Sequence, residues 1–170
     1  PSLEMLAFFR RDKSGPRLTG PLPSFNKLPQ LKEIYLQGNS IQGSIPDNFL
    51  GSSRSLQVAR LGLNMITGKV PEILGVLTKL SLELEGNLIT GFPESFCLNK
   101  DWMDGAVGTF GCDAILCPPG TAHAFGRVNS AEVECTECTN AVAPTFYGST
   151  SCSGPWNERE ILLKLFATLE

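Results

Sequence analysis

Three groups of residues in this chain carry side chains able to do chemistry. The first is the cysteines: all six fall between Cys97 and Cys152, and Cys112, Cys117, Cys135 and Cys138 form a CxxxxC followed by a CxxC. That spacing suits a zinc ribbon in a reducing compartment, and it suits equally the three disulfides that staple a small secreted segment with too little core. Six cysteines allow 15 pairings, so spacing alone leaves both chemistries open. A redox pair of Cys135 with Cys138 would need a βαβ setting, which the flanking residues do not supply. The second is His123, the only histidine. As a general base it would need a nucleophile and an orienting carboxylate within reach, and the CPPGTAHAFG context offers neither, so the sequence reads it as a surface or loop histidine. The third is Glu83 and Glu85, which alternate along one segment and so would face the same way on a strand, as a glycosidase pair must. A solvated acidic face is the more ordinary expectation for them.

The rest of the chain limits what these residues can serve. Its 170 residues hold 42% hydrophobic side chains, enough for one core or two small modules. The 14 basic against 17 acidic residues give a net charge of −3, with no basic stripe to follow a phosphate backbone, so nucleic acid is not an expected partner. No apolar run approaches the roughly 18–20 residues of a membrane span. A single histidine excludes metal sites built from several. No cofactor is implied. The chain opens on Pro1 without an initiator Met or a basic segment leading into an apolar one, so it is expected to be a piece of a longer protein.

The elements that would position any site are written as a repeat. Leu28, Leu31, Ile34, Leu36, Asn39, Ile41, Gly43, Ile45 and Pro46 spell LxxLxxIxLxxNxIxGxIP, and Leu56, Ala59, Leu61, Asn64, Ile66, Gly68, Val70 and Pro71 spell it again. A third copy keeps Leu82, Leu84, Asn87, Ile89, Gly91 and Pro93, with Leu77 and Leu80 one place out of frame and one residue missing before Pro93. An earlier one survives as Leu18, Gly20, Leu22 and Pro23. Gly20, Gly43, Gly68 and Gly91 are 23, 25 and 23 residues apart, within the roughly 20–29 of a leucine-rich repeat. Each copy predicts a short strand (Ile34 to Leu36, Ala59 to Leu61, Leu82 to Leu84) whose alternate residues point into a shared core. At the bend that follows, Asn39, Asn64 and Asn87 each bring an amide able both to donate and to accept, so stacked copies would form an asparagine ladder.

The GxIP ending resembles the plant-type extracellular leucine-rich repeat, and the likeness covers about residues 3–96. It implies a twisted solenoid with a second short strand in each coil, found mostly in secreted or membrane-anchored receptors and inhibitors. Leu3, Leu6 and Phe8 look like the strand of a first coil, but the basic stretch Arg10 to Arg17 replaces its asparagine turn and leaves the stacking of that coil open.

After Phe96 the apolar period stops, and between Cys97 and Cys152 only Lys100 and Arg127 face six acids. CPPGT at 117–121, CTEC at 135–138 and FYGSTSC at 146–152 resemble ephrin-receptor-like and tumour-necrosis-factor-receptor-like cysteine-rich repeats, while Cys97 and Cys112 around Trp102 sit where such solenoids carry a disulfide-bonded cap. These likenesses favour disulfides over zinc, and with them sequential pairing: Cys97 with Cys112, Cys117 with Cys135, Cys138 with Cys152. Beyond them, Asn157 as N-cap, Glu158 and Glu160, then Ile161, Leu162, Leu165, Phe166 and Leu169 on one face predict an amphipathic helix. Preceded by Trp156, it looks like the cap that opens a further leucine-rich array.

The expected fold class is thus a leucine-rich-repeat solenoid of about four coils over 1–96, a cysteine-rich, mostly irregular β module over 97–155, and a helix over 156–170. In that frame Tyr35, Arg60 and Glu83 form one row of the concave face, with Gln37, Gly62 and Glu85 on one side and Glu33, Val58 and Ser81 on the other. Tyr and Arg are the residue types that anchor interfaces, which makes Tyr35, Gln37, Arg60, Glu83 and Glu85 the candidate binding residues. The basic cluster Arg10, Arg11, Lys13 and Arg17 reads as a solvated loop, with acidic polysaccharide as its alternative partner. No N-glycosylation sequon occurs. The expected function is non-enzymatic and extracellular: recognition or adhesion through contact with a protein or glycan. Two other roles remain, a building block that assembles end to end with further copies, and an inhibitor of a secreted hydrolase.

Overall fold

The computed structural model describes residues 3–8, 16–50, 53–139 and 143–153. Eight short strands follow one another: β1 (Met5–Ala7), β2 (Thr19–Pro21), β3 (Glu33–Tyr35), β4 (Ser40–Ser44), β5 (Val58–Arg60), β6 (Met65–Lys69), β7 (Ser81–Glu83) and β8 (Leu88–Gly91). They alternate between two parallel sheets, β1-β3-β5-β7 and β2-β4-β6-β8, so each coil adds one strand to each. Among the described residues the chain stacks as a solenoid of four coils because every coil buries its apolar side chains against the next. Ile34, Leu36, Ala59, Leu61, Leu82 and Leu84 all point inward and are buried, while Tyr35, Arg60 and Glu83 alternate outward.

The strands of the first sheet begin one residue earlier than the periodicity predicts, at Glu33, Val58 and Ser81. Leu36 and Leu61 instead lead out of them, still bonded through their N–H to the Arg60 and Glu83 carbonyls of the next coil. The shortened third copy leaves its mark in the second sheet, where the pairing of β6 with β8 slips by one residue between Gly68 and Lys69.

Asparagines carry the bend. Asn64 donates from Nδ2 to the carbonyls of Leu36 and Leu61, both at 2.9 Å, and its Oδ1 accepts the Ile41 N–H at 3.1 Å. Asn87 repeats this toward Leu61, Leu84 and Ile66, and Asn39 toward Phe8, Leu36 and Leu18. Each of these three amides therefore satisfies main-chain groups of two coils, most of them too deep for water to reach. The first coil is tied in this way even though Pro16 stands where the others carry asparagine.

The residue before each asparagine has a left-handed backbone: Gly38 at φ 74°, Leu63 at φ 55° and Gly86 at φ 67°. Leucine is the wrong residue there, because its Cβ crowds the following carbonyl. Leu63→Gly is expected to raise stability by about 0.5–1 kcal/mol in urea unfolding, whereas the same change at an ordinary position would lower it by a similar amount. A loss above about 1 kcal/mol would mean that the leucine's contact with Gly86 outweighs its strain.

Past residue 96 the core continues without a break through Trp102, Met103, Val107, Ala114, Ile115 and Leu116, which join the same apolar cluster as the coils. The short helix α1 (Ala106–Phe110) and 3-10 turns at Glu94–Leu98 and Gly111–Ala114 fold across the last coil. The Met103 N–H bonds to the Leu80 carbonyl and its sulfur accepts the Leu82 N–H, which closes the free edge of β7. Disulfides join Cys97 to Cys112, Cys117 to Cys135 and Cys138 to Cys152, with Cα separations of 4.7, 5.6 and 5.3 Å. Around the last two the chain is irregular but for a two-residue antiparallel ladder of β9 (Thr121–Ala122) with β10 (Thr136–Glu137). This segment folds back onto the solenoid: Tyr147 pairs with Ile89 beyond β8, its ring meets Phe92 edge-on at 5.2 Å, and the Gly148 carbonyl accepts the Gly86 N–H.

The two ends differ. Leu3, Phe8 and Leu18 are 41%, 56% and 42% exposed, while Leu31, Leu36 and Ile41, their equivalents one coil on, are 1%, 3% and 4% exposed. The expected amphipathic helix from Trp156 and Asn157 to Leu169, and Arg10, Arg11 and Lys13 of the basic cluster, lie outside the described residues.

Candidate functional site

Parallel register places Ala7, Tyr35, Arg60 and Glu83 side by side across the first sheet, facing away from the core. The row is linked throughout. The Arg60 guanidinium lies 5.5 Å from the centre of the Tyr35 ring, and its Nε is 3.4 Å from Glu83 Oε2. On the other side of Glu83, Arg127 brings Nη2 to 3.6 Å from Oε1. Tyr35 donates its hydroxyl to Glu33 Oε2 at 2.9 Å, and this bond, with burial and the Glu33 charge, holds its phenol above the usual value. With its side chain 46% exposed, Arg60 gains at most about 1 kcal/mol from its pairing to Glu83, so a partner can recruit it at small cost.

The adjacent row behaves differently. Gly62 has no side chain, and the Glu85 carboxylate fills the space a Cβ would take there. Glu85 Oε2 and Gln37 Oε1 are fully enclosed and have no hydrogen-bond partner. Burial is the main reason the Glu85 carboxyl titrates above the ordinary range, with the Glu83 charge adding to it and a backbone hydrogen bond, Arg127 and Arg60 acting the other way. The solvated acidic face expected of Glu83 and Glu85 is therefore not what forms: Glu83 sits between two guanidiniums and Glu85 is turned in under the cysteine-rich segment. Gln37 and Glu85 each keep a polar atom away from solvent.

His123 lies in a loop, as one half of its reading has it, but is buried there rather than on the surface, with Nδ1 accepting the Phe125 N–H at 3.1 Å and its main-chain N–H bonded to the Ser149 carbonyl. The ring helps shape the loop that delivers Arg127. The four sulfurs of the zinc alternative, Cys112, Cys117, Cys135 and Cys138, are divided among three disulfides. Among the described residues no cluster of three or more His, Cys, Asp or Glu side chains is placed to hold a metal ion.

Arg127 is the member of the site that periodicity does not find. Its one signal in the sequence is that it is one of two basic residues among six acids. That it reaches Glu83 depends on how the cysteine-rich segment folds back, which no local pattern encodes.

Residues 30–52 match the Leucine Rich Repeat family model. With two parallel sheets, four stacked coils and the asparagine ladder, that match decides the architecture. The fold is a leucine-rich-repeat solenoid. The chain is also similar to Pollen receptor-like kinase 2 of Arabidopsis thaliana, 35% identical over 95 residues. That stretch is 55% of this chain and 14% of the kinase, so the solenoid spans only a small part of its relative's length. Among the described residues no helix is long and apolar enough to cross a membrane.

Proposed function

We propose that this leucine-rich-repeat chain is a non-enzymatic extracellular module that recognises a protein partner through the row Tyr35, Arg60 and Glu83. The observation that supports this most is the row itself, a half-exposed arginine stacked on a tyrosine and held only by partly exposed ion pairs, the residue pair richest in interface anchors. Three disulfides and the likeness to a receptor-like kinase favour an oxidising, extracellular setting. In this reading residues 1–96 present the surface and 97–155 close its end, as a module of ephrin-receptor-like or tumour-necrosis-factor-receptor-like kind. Residues 156–170 would open a further array. With four coils the concave area is small, which suits a modest affinity or a partner that also touches neighbouring modules.

The test is a binding screen of the disulfide-intact chain against extracellular proteins and a glycan array, repeated with Tyr35→Ala and Arg60→Ala. Each substitution is expected to weaken a protein ligand by about tenfold or more while leaving the melting temperature within a few degrees of the parent. A ligand indifferent to both changes would move the site off this row. A hit on the glycan array alone would replace protein by carbohydrate as the partner.

A further inference from the structure

Glu85 sits at the seam where the cysteine-rich segment meets the solenoid, in a seat made by three glycines. On the solenoid side its carboxylate overlies Gly62. On the other side a Cβ at Gly126 would come within 2.5 Å of the Glu85 Cβ, and one at Gly148 within 3.3 Å of its Cα. The same two glycines fasten the segment down. The Gly148 carbonyl accepts the Gly86 N–H at 2.9 Å, and Gly126 and Gly148 bond to Cys117 through its N–H and its carbonyl. Whatever the charge on Glu85, it is felt where the two parts join.

The groups that face it are few. Glu83 lies on its own side of β7, Arg60 on β5, and Tyr35 with Glu33 on β3. From the cap come Arg127 and His123 on one loop and Tyr147 on the other, which among residues 143–153 carries no charged side chain. Both guanidiniums contact Glu83, and among the described residues no cation lies within ion-pair distance of Glu85. Its Oε2 is enclosed and unpartnered, and so is Gln37 Oε1 in the same row, across the bare Gly62. An enclosed carboxylate oxygen with no donor is a poor arrangement for the ionised group, and a proton on Glu85 removes the buried charge.

We propose that Glu85 is a proton-operated latch: protonated, it seats the cysteine-rich cap on the last coil, and ionised, it loosens residues 117–127 and 143–148 from β7 and β8. The direction follows from linkage. Burial raises the carboxyl above its ordinary value in the seated state, while an opened cap returns it to water. Seating is thus fully supported below about pH 4.3, the ordinary glutamate value, and is progressively lost as pH rises through the raised one.

The experiment is amide hydrogen exchange on the disulfide-intact chain, corrected for intrinsic rates, comparing the parent with Glu85→Gln at pH 4 and pH 7.5. The amides to follow are Tyr147 and Gly86, which cross the seam. At pH 7.5 their protection is expected to be at least about threefold higher in Glu85→Gln than in the parent, and the two should agree at pH 4. Equal protection at both pH values, or lower protection in Glu85→Gln at pH 7.5, would overturn the latch. Because a glutamine brings an amide NH2 group that the carboxyl lacks, the parent's Glu85 carboxyl carbon is also titrated by NMR. A midpoint at the ordinary glutamate value would overturn the proposal whatever the variant does. Neither measurement needs a ligand, so the latch and the recognition surface fail or stand separately.

Discussion

Asn64→Leu is expected to lower stability by about 2–6 kcal/mol: the Ile41 N–H loses its amide acceptor, at about 1–3 kcal/mol, and two buried carbonyls each lose one of two amide donors, at about 0.5–1.5 kcal/mol apiece. The leucine would restore volume and apolar area, so the loss isolates the ladder. The Leu36 and Leu61 carbonyls would keep the Asn39 and Asn87 amides as donors, each at 3.0 Å, while the Ile41 N–H would lose the Asn64 Oδ1 in a dry interior. A loss of that size is a large share of the roughly 5–15 kcal/mol that holds a domain of ordinary size together. Asn39→Leu is the natural control: two of its bonds, to Phe8 and Leu18, are only partly buried, and water can replace part of what is removed. Urea unfolding of the two variants should rank Asn64→Leu well below Asn39→Leu. Equal and small losses would mean that the second donor on each carbonyl is enough, and that the asparagines shape the bend without holding the coils.

Trp102→Ala is expected to cost about 3–5 kcal/mol and to act on both halves of the molecule. Trp102 is wholly buried, its ring centre 4.7 Å from that of Phe96, and its indole N–H donates to the Leu77 carbonyl at 2.6 Å. Leu77 belongs to the last coil and Trp102 to the segment that covers it, so the cavity would open across their boundary. Asn99 also donates to that carbonyl, at 3.1 Å, which leaves it one partner in the variant. Trp102→Phe keeps most of the volume and removes the indole bond, and should cost less than half as much. Circular dichroism during urea unfolding measures both. If Trp102→Ala lost less than about 1 kcal/mol, the segment would be resting on the coil without a shared core.

The coils were legible because their physics is local and repeated. Spacing alone identifies Ile34, Ala59 and Leu82 as inward and Tyr35, Arg60 and Glu83 as outward, since a strand alternates and a coil must bury one face. Asn39, Asn64 and Asn87 can be picked out for the same reason: a sharp buried bend needs a side chain that both donates and accepts. Strand ends were less legible, because pairing is decided by the neighbouring coil, and the ladder bonds begin at Glu33, Val58 and Ser81. The surroundings of Glu83 and Glu85 were not legible at all. A residue-by-residue reading places two acids on an open face. What removes Glu85 from water is a segment from 117 onward, returning over a distance in sequence that periodicity cannot span. The glycines that admit it, Gly62, Gly126 and Gly148, look like ordinary turn formers until the side chain lying over them is known.

The described coils are not all held alike. A coil touches only its neighbours, so each is held from two sides except the outermost. At the carboxyl side the last coil is held by the buried tryptophan, the seam bonds and a segment cross-linked three times. In the first described coil Leu3, Phe8 and Leu18 stand partly in water, and Pro16 holds the place of the asparagine. Among the described residues the bonding therefore has a direction, densest beside the staples and thinnest at the first coil. The Tyr35 end of the row is held less firmly than the Glu83–Arg127 end, so the proposed surface would lose its tyrosine side first.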